Sequence, residues 1–258
     1  MPTVKEIETF LFSLAPRDLA QSWDNVGLLV GDPQKEVSRV LVALDITQTV
    51  EEEAAAGGYD LIVAHHPVMN CAWHPVQSIR DDDPQGHLLL TMVRSGVAGI
   101  CMHTNLDSAQ GGVNDALAET LGLRDIAPLG EDGIGRIGVL PAPMDLRDFA
   151  ALVKERLGAN GVCYAAGNPN VYSIAVGGGA CASELMDAVK AGCDTFVTAD
   201  VKYNQFWDAR DLGLNLIDAG HFPTENPVVP LLAKKIAAQF PEVTVFLSET
   251  HRDCMKFF

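Results

Sequence analysis

Short, wholly apolar runs recur along the chain with helix-like stretches between them, and this alternation restricts the fold more than any other feature. Arg39-Val40-Leu41-Val42-Ala43-Leu44-Asp45 reads as a buried strand, 47–56 as a helix ended by Gly57-Gly58, and Asp60-Leu61-Ile62-Val63-Ala64 as the next strand. A helix over 86–95 and a strand over 99–102 continue the series. An amphipathic helix over 4–14 opens it, with Val4, Ile7, Phe10, Leu11 and Leu14 on one face. Strands that are apolar throughout, rather than on alternate residues, belong in a sheet covered on both faces, so the fold class is α/β.

The pattern then repeats. Strands are expected over 172–176, 194–199 and 214–218, with helices over 182–190 and 206–212. Gly58-Tyr59-Asp60-Leu61-Ile62-Val63-Ala64-His65 resembles Gly192-Cys193-Asp194-Thr195-Phe196-Val197-Thr198-Ala199, as two copies of one βαβ-rich unit would. The expected architecture is two similar α/β lobes, one over 1–128 and 221–258 and the other over 129–220. The segment 130–170, with Pro141 and Pro143, reads as the junction into the second copy.

Histidines mark the strand ends. His65, His66, His103 and His221 each come just after an expected strand, and His103 and His221 open the spacing His-x-x-x-carboxylate, to Asp107 and Glu225. Ligands in open α/β sheets gather at the carboxyl ends of strands. Imidazole and carboxylate together suit zinc, manganese or iron(II). The candidate metal ligands are therefore His65, His66, Asp107, His221 and Glu225, expected at strand C-terminal ends between the lobes. Only a carboxylate can give one oxygen to each of two ions, which makes Asp107 and Glu225 the candidate bridges. Asp107 also fits a helix N-cap before Gly111-Gly112. Adjacent histidines on an extended chain point apart, so His65 and His66 converge only if the chain bends at Pro67; otherwise they reach different ions.

A competing motif lies further on. Gly177-Gly178-Gly179-Ala180-Cys181-Ala182 satisfies G-x-G-x-x-A after a strand, and Asp200 follows about 20 residues later, as in dinucleotide-binding units. The first half of the chain carries histidines where such a fold needs phosphate-binding glycines. Close strand–helix packing is the expected role, with amides seating a substrate phosphate as a second possibility.

Composition narrows the partners. The formal net charge of −16 repels phosphate backbones and argues against duplex nucleic acid. No apolar run has the length of a membrane helix, and the acidic N-terminus lacks a secretory n-region. The six cysteines (71, 101, 163, 181, 193 and 254) form no CxxC pair and read as reduced core residues of a cytoplasmic protein.

Trp23-Asp24-Asn25-Val26-Gly27-Leu28, Ala64-His65-His66-Pro67, His103-Thr104-Asn105-Leu106-Asp107 and Gly220-His221-Phe222-Pro223-Thr224-Glu225, in this order, resemble the Nif-three-like dinuclear-metal-centre family, often labelled GTP cyclohydrolase I type 2 homologues. The resemblance covers nearly the whole chain. It implies two divalent transition-metal ions at His65, His66, Asp107, His221 and Glu225, two similar lobes and a toroidal homohexamer. The family commonly carries Thr-Gly-Asp or Thr-Gly-Glu and then Lys-Tyr-His, whereas this chain has Thr198-Ala199-Asp200-Val201-Lys202-Tyr203-Asn204.

The expected activity is metal-dependent hydrolysis of a small substrate, nucleotide-like or with a cyclic C–N bond. His103, a strand-end histidine outside the ligand set, is the candidate for proton transfer. Lys202 and Tyr203 are candidates to orient the substrate. The competing expectation is a metal-binding ring that stores or delivers ions or scaffolds a partner.

Overall fold

A computed structural model describes residues 1–70, 75–131 and 133–258. In chain order the elements are α1 (Val4–Leu14), β1 (Gly27–Val30), β2 (Arg39–Ala43), α2 (Gln48–Gly57), β3 (Leu61–Ala64), α3 (Pro84–Ser95), β4 (Ala98–Cys101) and α4 (Thr104–Ser108). Next come α5 (Val113–Thr120), β5 (Arg124–Leu129), β6 (Gly135–Asp145), α6 (Leu146–Leu157), β7 (Cys163–Ala165) and β8 (Asn170–Val176). They are followed by α7 (Leu185–Lys190), β9 (Thr195–Thr198), α8 (Tyr203–Asp211), β10 (Asn215–Asp218), α9 (His221–Glu225), α10 (Val228–Gln239) and β11 (Thr244–Leu247).

The chain divides into two compact units, Met1–Ala109 with Val229–Arg252, and Gln110–Val228 with Asp253–Phe258. These boundaries differ from the expected 128/129 and 220/221. Helix α5 packs on β5, β6 and β8, and α9 packs on α5, so both helices join the second unit. His221 and Glu225 go with them. The expected junction at 130–170 also differs: it holds β6, α6 and β7, because the prolines fall in a long strand next to a β5 edge rather than in a loop.

In the first unit the sheet order is β1-β4-β3-β2-β11; β4, β3, β2 and β11 run parallel and β1 pairs antiparallel at the edge. Local chemistry sets the helices. Thr3 and Glu6 close a capping box on α1, Thr47 caps α2 and Gly58 ends it at φ 63°, and Asp83 caps α3 with Pro84 in its first turn. Strands β2, β3 and β4 bury Leu41, Ile62 and Cys101 against Val50, Leu89 and Met92 of the covering helices.

In the second unit the order is β5-β6-β8-β9-β10-β7, with a parallel centre of β8, β9 and β10 and antiparallel flanks. Phe149 and Val153 of α6 fill one face, and Leu185 and Ala209 pack with Phe196 on the other.

The internal repeat is visible at atomic detail within each unit. Asp60 accepts from the amides of Ser38 (2.8 Å) and Arg39 (3.1 Å), and Asp194 accepts from those of Tyr172 and Ser173 (2.9 Å each). Each aspartate follows a left-handed glycine, Gly58 or Gly192, that ends the preceding helix. The clamp ties the start of β3 to the start of β2, and the start of β9 to the middle of β8. Strands β3 and β9 then deliver their carboxyl ends in equivalent positions.

Among the described cysteines, Cys101 and Cys193 are buried and Cys181 is intermediate, while Cys163 and Cys254 are exposed. Cys163 lies on the edge strand β7 and Cys254 in the C-terminal segment, which corrects the expectation that all are core residues; Cys71 lies outside the described residues. Among the described residues, no helix is long and apolar enough to cross a membrane.

Candidate metal centre

Each unit carries a histidine–carboxylate group where its parallel strands end. In the first unit, His65 and His66 leave β3 in a bend, and both of their amides donate to Leu44 O at 3.0 Å. That shared acceptor breaks the strand's alternation and brings the two rings to a centroid distance of 4.8 Å. His103 joins them from the end of β4, at 5.1 Å from the His65 ring and 5.5 Å from the His66 ring. One ring nitrogen from each of the three lies within 4.8 Å of the others. Asp107 sits one turn along α4 with Oδ1 3.5 Å from His65 Nε2. It caps neither α4 nor α5, whose N-cap residues are His103 and Gly112.

In the second unit His221 is the first residue of α9, and its Nε2 lies 3.1 Å from Glu225 Oε2 on the next turn. The two His-x-x-x-carboxylate segments are thus out of register as structures. His103 precedes its helix as the cap, while His221 stands inside the helix and Gly220 caps it.

A second set of residues decides which nitrogen each ring presents. His65 Nδ1 donates to Met102 O (2.8 Å), His66 Nδ1 to Asp45 (2.7 Å), His103 Nδ1 to Asp24 (2.9 Å) and His221 Nδ1 to Asp200 (2.7 Å). Carbonyl and carboxylate oxygens only accept, so every Nδ1 carries the hydrogen. A ring held in this way, when neutral, offers its lone pair at Nε2, the arrangement that supports histidine ligation; His221, whose Nε2 faces Glu225, reaches that form only on losing a proton.

Sequence reasoning missed these aspartates as supports. Asp24 stood in the Trp-Asp-Asn motif without a role, Asp45 and Asp200 follow strand ends, and an acid after a strand paired with a histidine after its neighbour was the usable signal. Asp24 also receives Thr104 N (3.0 Å) and Thr104 Oγ1 (2.5 Å) at the start of α4. Burial would raise its carboxyl, but the hydrogen bonds from His103 and Thr104 outweigh it and hold the group at about 2. Asp45 is half-buried, which would also raise its carboxyl, yet donors from His251 and His66 keep it well below the usual carboxylate range. Burial disfavours a charged His221, but Asp200 and Glu225 overcome that and raise it to about 10. Asp200 holds its position at φ 52°, a left-handed conformation that aspartate tolerates better than most residues.

The glycine-rich segment has a different role from phosphate binding. Its amides are engaged: Gly177 N donates to Val197 O (3.0 Å), Gly178 N to Asn114 (2.7 Å) and Gly179 N to Thr224 Oγ1 (3.0 Å). Gly179, at φ 61°, lets the backbone lie against Glu225 and His221; a Cβ there would collide with the Glu225 carboxylate. The amides are thus unable to seat a phosphate. Tyr203, Asn204 and Lys202 lie at the start of α8, where Tyr203 is 79% exposed and Asn204 donates to Asp208 (3.3 Å) on the same helix.

In the first unit the histidine nitrogens beside Asp107, and in the second His221 with Glu225, are donors of the kind suited to borderline divalent ions such as zinc, manganese or iron(II). The close approach of Gly179 to Glu225 and His221 shows a backbone shaped around those two side chains.

The chain is similar to known proteins over nearly its whole length. A Clostridium perfringens protein named GTP cyclohydrolase 1 type 2 homolog is 33% identical over 262 residues, spanning 98% of this chain and 99% of that one. A Streptomyces coelicolor protein of the same name is 38% identical over 249 residues, spanning 92% and 86%. The fold matches the crystal structure of a Bacillus cereus protein related to NIF3 with a TM-score of 0.92 at 25% identity, covering 100% of this chain and 99% of that one. A Staphylococcus aureus structure matches with a TM-score of 0.91 at 28% identity, with the same coverage. The family model described as Duf34/NIF3 (NGG1p interacting factor 3) matches residues 2–254, and the chain belongs to that family.

Proposed function

We propose that the protein is a metal-dependent hydrolase in which His65, His66, Asp107, His221 and Glu225 are ligands for two divalent transition-metal ions, zinc, manganese or iron(II). The observation that carries this reading is the uniform support of the histidines: four rings, in two units, each donate Nδ1–H to an oxygen and present Nε2. Core histidines kept only for packing have no reason to share one tautomer.

The chemistry that such a pair of ions supplies is activation of water and polarisation of an electrophilic centre. The chain's own residues do the rest. Asp107 and Glu225 are the carboxylates able to bridge. His103 is the proton carrier at Nε2: Asp24 fixes the ring through Nδ1 and leaves Nε2 to take up and return the proton. Trp23 packs edge-on against the His103 ring, with centroids 6.0 Å apart, and limits its rotation.

The substrate we infer is small and nucleotide-like or carries a cyclic C–N bond, in line with the relatives' name, GTP cyclohydrolase 1 type 2 homolog. A cytoplasmic homohexamer completes the reading; light scattering that found a monomer at micromolar concentration would remove the assembly from it. The central test is elemental analysis of the protein reconstituted with zinc, manganese or iron(II), followed by a hydrolysis screen over nucleotides, cyclic amides and phosphoesters. Close to two ions per chain with turnover supports the proposal. No bound metal refutes it. Two readily exchanged ions without turnover would favour ion storage or delivery instead.

A further inference from the structure

The chain after β11 returns to the metal-binding group of the first unit. The Glu53 carboxylate, on α2, accepts from Ser248 Oγ (2.6 Å), Glu249 N (2.8 Å), Thr250 N (3.2 Å) and Thr250 Oγ1 (2.7 Å). One side chain thus gathers three successive residues of a segment that has left the sheet. The next residue is His251, whose amide donates to Ser248 Oγ (3.1 Å). Its imidazole is turned inward, with the side chain 11% exposed, and Nε2 reaches Asp45 Oδ2 at 2.9 Å. The other oxygen of Asp45 receives His66 Nδ1 at 2.7 Å.

Asp45 therefore stands between two imidazoles, one on each oxygen. As an ionised acceptor it requires both to donate, which assigns the hydrogen to Nε2 of His251 and to Nδ1 of His66. With a donor on each oxygen, the carboxylate plane is fixed. With only one it could turn toward water, since Asp45 is 35% exposed, and His66 would lose the direction of its support.

We propose that His251 is a positioning residue for His66, acting through Asp45, and that the segment 248–251 clamped by Glu53 is part of the metal-binding apparatus. This rests on the reading of His66 as a metal ligand. His251 does not itself bind the ion. It holds the aspartate that holds the ligand, from a position 206 residues away in sequence from Asp45.

Zinc(II) titration of the full chain against a chromophoric chelator tests this, using His251→Gln, His251→Asn and Glu53→Gln. The Gln amide can reproduce the Nε2 donor, whereas Asn is one methylene too short to reach Asp45. Loss of an outer partner typically weakens metal binding by about 10–100-fold, so His251→Asn is expected to raise one of the zinc dissociation constants by about 10-fold while the number of ions bound stays the same. His251→Gln should stay within about threefold of wild type if the hydrogen bond alone is responsible. Glu53→Gln, which loosens the segment without touching Asp45, should weaken the same ion. Wild-type affinity in His251→Asn, or equal weakening by Asn and Gln, would overturn the proposal and leave the metal reading standing. Failure of the wild-type chain to bind zinc at all would overturn both, so the two failures are distinguishable.

Discussion

His103 donates its Nδ1 hydrogen to Asp24 over 2.9 Å, across 79 residues of sequence, and the same carboxylate accepts the first amide of the helix that follows His103. One acid therefore sets the tautomer of a ring and anchors the turn that carries Asp107.

Replacing Asp24 with Asn should destabilise the metal-free protein in a pH-dependent way. The carboxyl is depressed from 3.8 to about 2, so its contribution is present above pH 3.8 and is lost as the pH falls through 2. The depression corresponds to about 2 kcal/mol. Urea unfolding at pH 6 should show a deficit of that order in Asp24→Asn, shrinking as the pH approaches 2. An equal deficit at both ends would show that the charge is irrelevant.

His103→Ala should retain both metals yet lose most turnover of whatever substrate the screen reveals. Removing a general acid or base costs about 10²–10⁴-fold in rate. Loss of one ion per chain in this variant, measured by elemental analysis, would instead make His103 a ligand, an outcome its closeness to His65 and His66 keeps in view.

Gly179→Ala should be harmful out of proportion to one methyl group. The residue sits at φ 61°, and the new Cβ would meet the Glu225 carboxylate. Backbone strain and displacement together should cost about 1–3 kcal/mol in chemical denaturation. Metal content should fall in the same variant; Gly192→Ala, also left-handed at φ 77° but with open space around its Cβ position, should lose stability without losing metal.

The paired strand clamps give a prediction in each unit. Asp60→Asn and Asp194→Asn each weaken an acceptor of backbone amides at the start of β2 or within β8. Each should destabilise by about 0.5–1.5 kcal/mol, the net contribution of hydrogen bonds whose donors remain partly open to water. Equilibrium unfolding of the two variants checks this, and wild-type midpoints in both would remove the clamp from the account of the fold.

Local pattern in the sequence determined the strands and helices around the candidate site and the ligand residue types at their ends. Wholly apolar runs such as Leu61-Ile62-Val63-Ala64 have one use in an α/β protein, and residues such as Gly58, Thr47 and Asp83 punctuate helices through their own backbone preferences. These are properties of neighbours in the chain. Tertiary structure decided what depends on distant partners. Leu44 O bends His65 and His66 together; Asp24, Asp45 and Asp200 choose the nitrogen each ring presents; and α5 draws α9, with His221 and Glu225, into the second unit. The apparent twin motifs at 103–107 and 221–225 show the limit well. Identical spacing gave no warning that one histidine caps its helix and the other stands inside it. That difference arises where each sheet ends its strand and which side chain or glycine is there to start the helix. Spacing alone carries neither fact.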